Sequence, residues 1–324
     1  MRICIFGAGA VGGHMLARLS LGGAELCAVM RGQRLAAVRE EGLRLKIDGE
    51  ADLHLSPTVS DDPASLGVQD VVVMSVKLAA LKEALAAARP LINDDTRVVF
   101  AMNGLPWWFP QGLDLPETPE LAACLDPDGS LRRALDVTRW VACVVTSGNV
   151  VERPGVVINT TPGRNKLRLG FSDGRRDAIV EKFVGAASRG GYDAEFSDDI
   201  RREMWSKLLI NAGMSSVATV SERTIYEICN DPETRLVCRR LMEEIVEIGN
   251  DLGIGIDADI DRLTDPATAP HHTTSFLQDL RSGRPLEISN GILAVRAIAR
   301  AKHIAAPHLD TVAALMQARS SRFE

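Results

Sequence analysis

The residues best suited to do chemistry lie in an otherwise apolar segment of the chain, residues 204–220. Lys207 and Asn211 are four residues apart, so on a helix they share one face, and Ser215 continues that face. A lysine on such a face either extends its ammonium to water or is held for chemistry. Partial loss of water makes an ammonium a better proton donor, and this segment alone leaves both interpretations open.

Polar residues also follow two predicted buried strands. Asn103-Gly104 comes directly after the apolar run 97–101, and Lys77 comes directly after the run 70–76. In an open α/β sheet, ligands bind beyond the carboxyl ends of the parallel strands. Asn103 and Lys77 are therefore candidates for a ligand site, and the alternative for Asn103-Gly104 is a simple turn.

The C-terminal part of the chain carries a further group of polar residues. Ser275 opens the segment SFLQDL, and Glu287 follows Pro285 by two residues. Proline is typical of a first helical turn, and an acid in that turn is favoured by the helix dipole alone. Glu287 therefore has either a structural or a functional role, and the local sequence leaves both open.

A glycine-rich turn stands between an apolar strand at residues 2–6 and a helical segment at residues 10–21. Its GxGxxG spacing inside a strand–helix–strand unit is typical of dinucleotide binding, the alternative being a glycine turn of another α/β fold. The three glycines permit a tight turn, close approach of a pyrophosphate and close helix–strand packing, and the helix N-terminus favours the anion. The predicted cofactor-binding residues of this turn are Gly7, Ala8, Gly9, Ala10, Val11 and Gly12.

Arg31 ends the second predicted strand and indicates which dinucleotide binds. An NAD-preferring site usually places an acid at this point, whereas an arginine can contact the 2′-phosphate of NADP. Arg34 offers a second guanidinium, a group whose forked donors suit phosphate. Although any surface loop can carry two arginines, we predict NADP (NADPH) as the cofactor and Arg31 as a cofactor-binding residue.

Strand and helix signals alternate in the first part of the chain, and only helical signals follow residue 198. Strands separated by helices indicate a mostly parallel sheet with crossover helices. We therefore predict an α/β, Rossmann-type NADP-binding domain over residues 1–197 and an all-α substrate and catalytic domain over residues 198–324. Strands are predicted at 2–6, 25–30, 70–76, 97–101, 137–146, 155–159, 166–171 and 193–196. Helices are predicted at 10–21, 33–41, 78–88, 176–188, 200–220, 232–249, 272–281 and 285–302, with one more from 307.

Composition excludes several classes of protein. The 324 residues are 46% hydrophobic with a net charge of −6, which argues against a disordered chain and against nucleic-acid or anionic-membrane binding. No apolar run approaches the ~20 residues of a membrane span. The six cysteines are scattered, with no zinc-binding pattern or disulfide framework, so a cytoplasmic protein without a metal is expected. The expected partner is a small molecule, and no heptad pattern decides whether the helical domain forms a homodimer.

Together these motifs resemble the ketopantoate reductase (2-dehydropantoate 2-reductase) family over nearly the whole chain. The resemblance rests on RICIFGAGAVGG at 2–13, SVK at 75–77, Asn103-Gly104, WSKLLIN at 205–211, SFLQDL at 275–280 and LEISNG at 286–291. It implies an NADPH-binding Rossmann domain followed by a helical domain like the C-terminal domain of 6-phosphogluconate dehydrogenase. The implied reaction is the reduction of a 2-oxo acid, 2-dehydropantoate, to the hydroxy acid pantoate.

The resemblance also implies a role for each matching residue. Lys207 is the general acid that protonates the keto oxygen as hydride arrives, and Glu287 binds the substrate hydroxyl and orients the catalytic groups. Asn103 holds the lysine and lines the nicotinamide pocket, and Lys77 lies beside the cofactor. The implied substrate-binding residues are Lys207, Asn211, Ser275 and Glu287.

Other interpretations stay open. Ser215 and His272 stand where the family often has asparagines, and the stretch 105–133 is longer and more aromatic than in the shortest members of the family. These departures concern the substrate, so another 2-oxo acid is an alternative, and so is an NADPH sensor without turnover. A β-hydroxyacid dehydrogenase is disfavoured because residues 201–206 lack the glycines expected before the lysine. Pantothenate biosynthesis and a catabolic route are both compatible. We expect Trp107, Trp108 and Phe109 to restrict substrate size, the alternative being a loop packed on its own domain.

Overall fold

The computed structural model describes residues 1–134, 136–271 and 273–322. The chain divides into two compact units: unit 1 comprises Met1–Asn103 with Leu131–Ile200, and unit 2 comprises Gly104–Ser130 with Arg201–Glu324. The division after Ile200 lies three residues from the predicted boundary at 197/198. Residues 104–130, which the sequence analysis placed in the first domain, instead group with the helical unit.

Unit 1 contains every strand found in the described residues, and these strands form an eight-stranded and a four-stranded sheet. The larger sheet has the order β12-β11-β8-β7-β6-β1-β2-β5. Its strands are parallel except at the β8–β11 pair, which is antiparallel. The strands are β1 (Arg2–Phe6), β2 (Glu25–Val29), β3 (Leu43–Ile47), β4 (Leu53–Leu55), β5 (Thr58–Ser60), β6 (Val71–Met74), β7 (Arg97–Phe100), β8 (Trp140–Thr146), β9 (Asn149–Arg153), β10 (Val156–Asn159), β11 (Lys166–Gly170) and β12 (Asp193–Phe196).

The larger sheet confirms the predicted α/β domain with a mostly parallel sheet. Its inner strands carry apolar side chains on both faces, and Val71, Val72 and Val73 of β6 are fully buried, as expected where helices cover a parallel sheet. The chain runs from β1 to β2 on one side, while β6 pairs with β1 on the other. Strand order therefore reverses at β1, and ligands of such sheets bind outside the carboxyl end of that strand.

The smaller sheet, with the order β4-β3-β10-β9, was not predicted as a sheet. In this sheet β3 pairs in parallel with β10, a strand that follows β8 of the large sheet in the sequence. It packs against the first helix of the chain, where a Cβ on Gly13 would lie 2.8 Å from Val157 Cγ2. The sheet therefore covers the helix that follows the glycine turn.

The helices largely follow the predicted positions, and unit 2 is all-helical in the part of the chain that is described. Two segments within it form wider π-helical turns, Asn211–Ser215 (the first π segment) and Ser289–Leu293 (the second π segment). Short 3₁₀ turns occur at Pro63–Leu66, Arg89–Leu91 and Val137–Arg139. The α-helices are α1 (Ala10–Leu21), α2 (Gly32–Glu41), α3 (Leu78–Ala88), α4 (Pro119–Leu125), α5 (Ser130–Ala134), α6 (Ala178–Arg189), α7 (Ile200–Ile210), α8 (Ser216–Ser221), α9 (Ile225–Asn230), α10 (Pro232–Asp251), α11 (Ile260–Leu263), α12 (Ser275–Arg281), α13 (Ala294–Ala301) and α14 (Pro307–Ser320).

The aromatic segment after Gly104 belongs to the core of unit 2. Trp108 and Phe109 are almost completely buried. The Phe109 ring stacks on Trp205 with a centroid distance of 5.6 Å, and the Arg201 guanidinium donates to the Phe109 carbonyl oxygen at 3.2 Å. These contacts explain why 104–130 groups with the helices, and they favour the alternative of a packed loop over a wall around the substrate.

Within the described residues, no helix is both long and apolar enough to cross a membrane.

Candidate active site

The glycine turn is held in shape by backbone and side-chain hydrogen bonds. Gly7 has φ +94°, a left-handed conformation that favours glycine, and its N–H donates to the Val29 carbonyl oxygen at 3.1 Å. Ser75 Oγ donates to the Gly7 carbonyl oxygen at 2.7 Å. A Cβ on Gly12 would collide with both Ser75 Oγ and this carbonyl oxygen. Gly12 thus permits the close helix–strand packing predicted for the third glycine.

The residues of this turn fit a pyrophosphate. A Cβ on Gly9 would meet no atom within 4 Å, so space lies open beside the backbone at the second glycine. Gly9 is also the N-cap of α1, where no side chain caps the helix and no acid lies in the first turn. The first N–H groups of a helix lack intrahelical acceptors, so this end of α1 offers donors to an anion.

Arg31 lies at the end of β2, as predicted, and is the N-cap of α2. Its side chain is exposed. No hydrogen bond or ion pair engages it or Arg34 among the residues that the structure describes, and α2 has no acid in its first turn. Both guanidinium groups are therefore free to meet an anionic group near the carboxyl end of β2. This arrangement suits a 2′-phosphate, which is a dianionic group when fully ionised.

Lys77 and Asn103 lie at the same edge of the large sheet as the glycine turn. Lys77 follows β6 and is the N-cap of α3, while Asn103 follows β7. Because β1, β6 and β7 are adjacent and parallel, their carboxyl ends meet at one edge. Both side chains are exposed. Unit 1 therefore brings together all of its predicted site residues except Arg31, which lies one strand further on, beyond β2.

A buried histidine lies within α1, the helix that follows the predicted cofactor turn. His14 is fully buried, and its Nδ1 lies 2.6 Å from the Tyr192 hydroxyl, while its Nε2 has no hydrogen-bond partner among the described residues. Burial lowers the pKa of His14 to about 3, and the nearby Arg18 guanidinium contributes in the same direction. Burial also raises the pKa of the Tyr192 hydroxyl well above its ordinary value. Both rings are thus neutral parts of the core.

In unit 2, the residues predicted around Lys207 lie where α7 changes to the first π segment. Lys207 is half-buried in the last turn of α7, and Asn211 is the first residue of the π segment. Ser215 ends it and is buried. The predicted single helix over 200–220 is therefore interrupted at the candidate site. Such π turns occur frequently at functional sites.

The elements that carry the other predicted substrate residues pack on the first π segment. It contacts both α12 and the second π segment. Ser275 is the first residue of α12 and is exposed. Glu287 is half-buried, two residues before the second π segment. Unit 2 thus brings the segments of Lys207, Asn211, Ser275 and Glu287 together.

The prediction that a helix begins at Pro285 is wrong. Residues 284–288 have no helical structure, and the helical backbone begins only at Ser289. The first-turn explanation for Glu287, attraction to a helix dipole, therefore does not apply to it. His272, which departs from the family pattern, lies outside the described residues.

Asn290, for which no role was predicted, fixes the start of the aromatic segment. Its carbonyl oxygen accepts the Leu105 N–H at 2.7 Å, and its Nδ2 donates to the Leu105 carbonyl oxygen at 3.3 Å. A Cβ on Gly104 would lie 2.6 Å from Asn290 Nδ2. The motif LEISNG contains this asparagine, but its partner Leu105 lies 185 residues away in the sequence.

Comparison with known protein families covers both parts of the chain. The model described as "Ketopantoate reductase PanE/ApbA" matches residues 3–111, and the model "Ketopantoate reductase PanE/ApbA C terminal" matches residues 199–320. The chain belongs to the ketopantoate reductase family. This confirms the resemblance inferred from the motifs and the predicted class of enzyme, an oxidoreductase acting on a CH–OH group.

Individual members of the ketopantoate reductase family are similar over their whole length. A 2-dehydropantoate 2-reductase of Mesorhizobium japonicum is 35% identical, with 98% of this chain and 97% of the relative covered. The solved structure of a candidate ketopantoate reductase from Ralstonia solanacearum is 34% identical with a TM-score of 0.88, covering 99% of this chain and 98% of the other. A D-mandelate dehydrogenase, solved with NADH and anilino(oxo)acetate, shares the fold at 19% identity and a TM-score of 0.82, covering 100% and 99%.

Proposed function

We propose that this protein reduces a 2-oxo acid with NADPH and that 2-dehydropantoate is its substrate. The observation that carries the proposal is the 35% identity, over 98% of the chain, to a relative named 2-dehydropantoate 2-reductase. The arrangement within each unit supports it. Unit 1 offers a turn suited to an anion, and two arginines near it have no hydrogen bond or ion pair to any described residue. Unit 2 groups polar residues within an apolar segment.

The cofactor side of the reaction belongs to residues of unit 1. The backbone at Gly9 and the start of α1 would hold the pyrophosphate, and Arg31 would hold the 2′-phosphate. Lys77 and Asn103, at the ends of β6 and β7, would lie beside the rest of the dinucleotide. The reduced nicotinamide, when bound, supplies the hydride that the carbonyl carbon accepts. These residues place the cofactor and add selectivity without taking part in bond making.

Lys207 would donate the proton in this reaction. Hydride addition to a ketone builds negative charge on the keto oxygen, and an ammonium held near that oxygen stabilises the charge and then donates its proton. Lys207 is half-buried in an apolar segment, so fewer waters compete for its proton than on an open surface.

Substrate orientation belongs to three further residues. Glu287 would accept a hydrogen bond from the substrate hydroxyl and help to orient Lys207. Asn211 lies one turn after Lys207 and would contact the substrate from the first π segment. Ser275 would donate its hydroxyl to the substrate carboxylate. Each of these groups keeps the carbonyl in one position, which lowers the entropic part of the barrier.

A panel of 2-oxo acids, followed by loss of NADPH absorbance, tests the proposed function. The panel contains 2-dehydropantoate, smaller branched 2-oxo acids and an aromatic 2-oxo acid. We expect the highest kcat/KM with 2-dehydropantoate. A different 2-oxo acid at the top would replace the substrate and keep the reaction, and NADPH binding without turnover of any acid would indicate a sensor.

Substitution of Lys207 tests the chemical role. Lys207→Ala should lower kcat and kcat/KM together by about 10²–10⁴-fold, the contribution of a general acid, with little change in NADPH affinity. Glu287→Ala should mainly raise KM. Lys182, exposed on α6 of unit 1, is the control, and Lys182→Ala should keep full activity. Near-normal turnover in Lys207→Ala would contradict the assignment.

A further inference from the structure

A fully buried tryptophan attaches α7, the helix that carries Lys207, to its neighbour α10. Trp205 is 0% exposed. Its indole N–H donates to the carbonyl oxygen of Ile245 in α10 at 3.0 Å. Its ring stacks on Phe109 at an interplanar angle of 20°. A large flat side chain with a fixed hydrogen bond at one end and a stacked ring on its face allows little rotation of the helix that carries it.

This hydrogen bond requires a glycine on α10. Ile245 is four residues before Gly249, so its carbonyl oxygen also stands opposite the Gly249 N–H of the helical ladder. A Cβ on Gly249 would lie 2.5 Å from Trp205 Nε1 and 2.9 Å from Trp205 Cδ1. Both distances are too short for real atoms, and Trp205 is an inflexible side chain in a filled core. A side chain at residue 249 would therefore push the indole, and α7 with it, away from α10.

Two neighbouring arginines also attach the same helix. Arg201 Nε donates to the Phe109 carbonyl oxygen at 3.2 Å, and its guanidinium lies 5.7 Å from the Trp108 ring centroid. Arg202 Nε donates to the Ile254 carbonyl oxygen at 3.3 Å. These attachments hold the first turn of α7. Trp205 is held further along α7, two residues before Lys207.

Lys207 follows Trp205 by two residues, which is 200° around a helix. The two side chains thus leave nearly opposite sides of α7. Because a helix moves as a rigid body, a displacement of α7 at Trp205 also displaces Lys207. We propose that Trp205 and Gly249 form a positioning pair that sets where the Lys207 ammonium stands relative to the keto oxygen. This inference rests on the proposed function, because it concerns the residue assigned there as general acid.

The variant Gly249→Ala tests the pair at its closest contact. We expect kcat to fall by about 10–100-fold, the scale of a misplacement near 1 Å, while the NADPH dissociation constant stays within twofold. The matched control is Cys238→Ala, because Cys238 is fully buried on the same helix. It should lower thermal stability without lowering kcat. An unchanged kcat in folded Gly249→Ala would overturn the inference.

A double-variant cycle separates positioning from general loss of stability. The phenyl ring of Trp205→Phe lacks Nε1, so it loses the bond to Ile245 and also leaves room for a methyl group at residue 249. We expect Trp205→Phe to lower kcat. The kcat of the double variant Trp205→Phe/Gly249→Ala should lie within twofold of the kcat of Trp205→Phe. Independent effects, in which the two losses multiply, would overturn the proposed pair.

The reactivity of Lys207 gives a readout that does not require turnover. Competitive labelling of amines with acetic anhydride, analysed by peptide mass, should show at least a twofold change at Lys207 in Gly249→Ala and none in Cys238→Ala. No change in Gly249→Ala would count against the positioning pair. Full activity of Lys207→Ala would instead show that the proposed function is wrong, so the two failures are distinguishable.

Discussion

Arg31 is a single side chain on which the choice between two dinucleotides depends. It is exposed at the start of α2, and the described residues offer it no ion pair. A guanidinium–phosphate contact is charge-assisted and contributes ~1.5–3 kcal/mol. Since Arg31 has no partner to lose within the described part of the chain, its substitution should change cofactor binding without changing the fold.

We expect Arg31→Asp to weaken NADPH binding by at least tenfold, since 1.4 kcal/mol corresponds to tenfold in affinity. NADH binding should change little or improve, because an acid can bind the ribose hydroxyls. The dissociation constants of both cofactors, from fluorescence titration, measure this. Arg39→Asp changes the same charge at the other end of α2 and serves as control. Equal losses for NADPH and NADH would remove Arg31 as the discriminating residue.

His14 shows the opposite case, a titratable residue that serves the core. Its pKa is lowered to about 3 by burial and then by Arg18, while a histidine in the unfolded chain titrates near 6.5. Above pH 6.5 His14 is neutral in both the folded and the unfolded state, so its protonation does not lower the free energy of unfolding. Between pH 6.5 and about 3 the unfolded state alone binds the proton, and stability falls as the pH falls.

We therefore expect His14 to contribute a loss of about 1.4 kcal/mol per pH unit below pH 6.5. Urea unfolding at pH 7.5, 5.5 and 4.5 gives the slope. The variant His14→Asn should unfold with a smaller dependence on pH over this range, although it is less stable at pH 7.5. His303→Asn is the control, because His303 is exposed and has φ +56°, which asparagine tolerates. Parallel slopes for wild type and His14→Asn would contradict the expectation.

At the scale of elements, α14 depends on a residue from another helix for its N-terminal cap. Its own N-cap residue, Ala306, provides no side-chain hydrogen bond. Instead, the Glu244 carboxylate of α10 accepts the His308 and Leu309 N–H groups at 3.0 and 2.8 Å. The His308 ring Nδ1 lies 2.7 Å from the same carboxylate. One side chain thus replaces the cap and fastens two helices.

Glu244→Ala should lower the free energy of unfolding by about 1–3 kcal/mol, since it leaves two backbone donors without their acceptor. Glu244→Gln, which keeps an acceptor oxygen without the charge, should cost less. Glu247→Ala on the exposed side of α10 should cost under 0.5 kcal/mol. Chemical unfolding of the three variants measures these differences, and equal values for Glu244→Ala and Glu247→Ala would show that the cap adds no stability.

Local sequence patterns predicted most elements of the fold, and the misses have physical causes. The strand β3 alternates buried and outward residues, but its pairing with β10 depends on residues far along the chain. The π segments went unnoticed because apolar spacing does not distinguish a widened turn from a regular one. Pro285 suits a first helical turn, yet the helical backbone starts at Ser289. For the candidate site, the sequence motifs supplied the residues, and the chemical role of each residue stays a prediction.

At the scale of the whole molecule, unit 2 is built from two separate stretches of chain. Residues 104–130 leave unit 1 after β7, add Trp108 and Phe109 to the helical core, and return to β8. No local pattern could show this, because the segment has no regular apolar period. Its partners, Asn290 and Trp205, lie in the other stretch.

We expect a fragment of residues 201–324 alone to lack a fixed core. Without Phe109, the Trp205 ring loses its stacking partner, and Asn290 loses Leu105. The fragment should keep far-UV circular dichroism of helices but lose the near-UV signal and unfold without cooperativity. A cooperative melt with a near-UV tryptophan signal would contradict this expectation, and the full chain under the same conditions is the control.

The split origin of unit 2 has a consequence during synthesis on the ribosome. Leu105 and its partner Asn290 are 185 residues apart, so at 5–20 residues per second the partner emerges roughly 10–40 seconds later. During that interval the helical core that buries Trp108 and Phe109 is incomplete, and nascent chains on neighbouring ribosomes can associate through these side chains. Slow codons between these two positions should therefore lower the yield of soluble enzyme, while a holding chaperone should restore it.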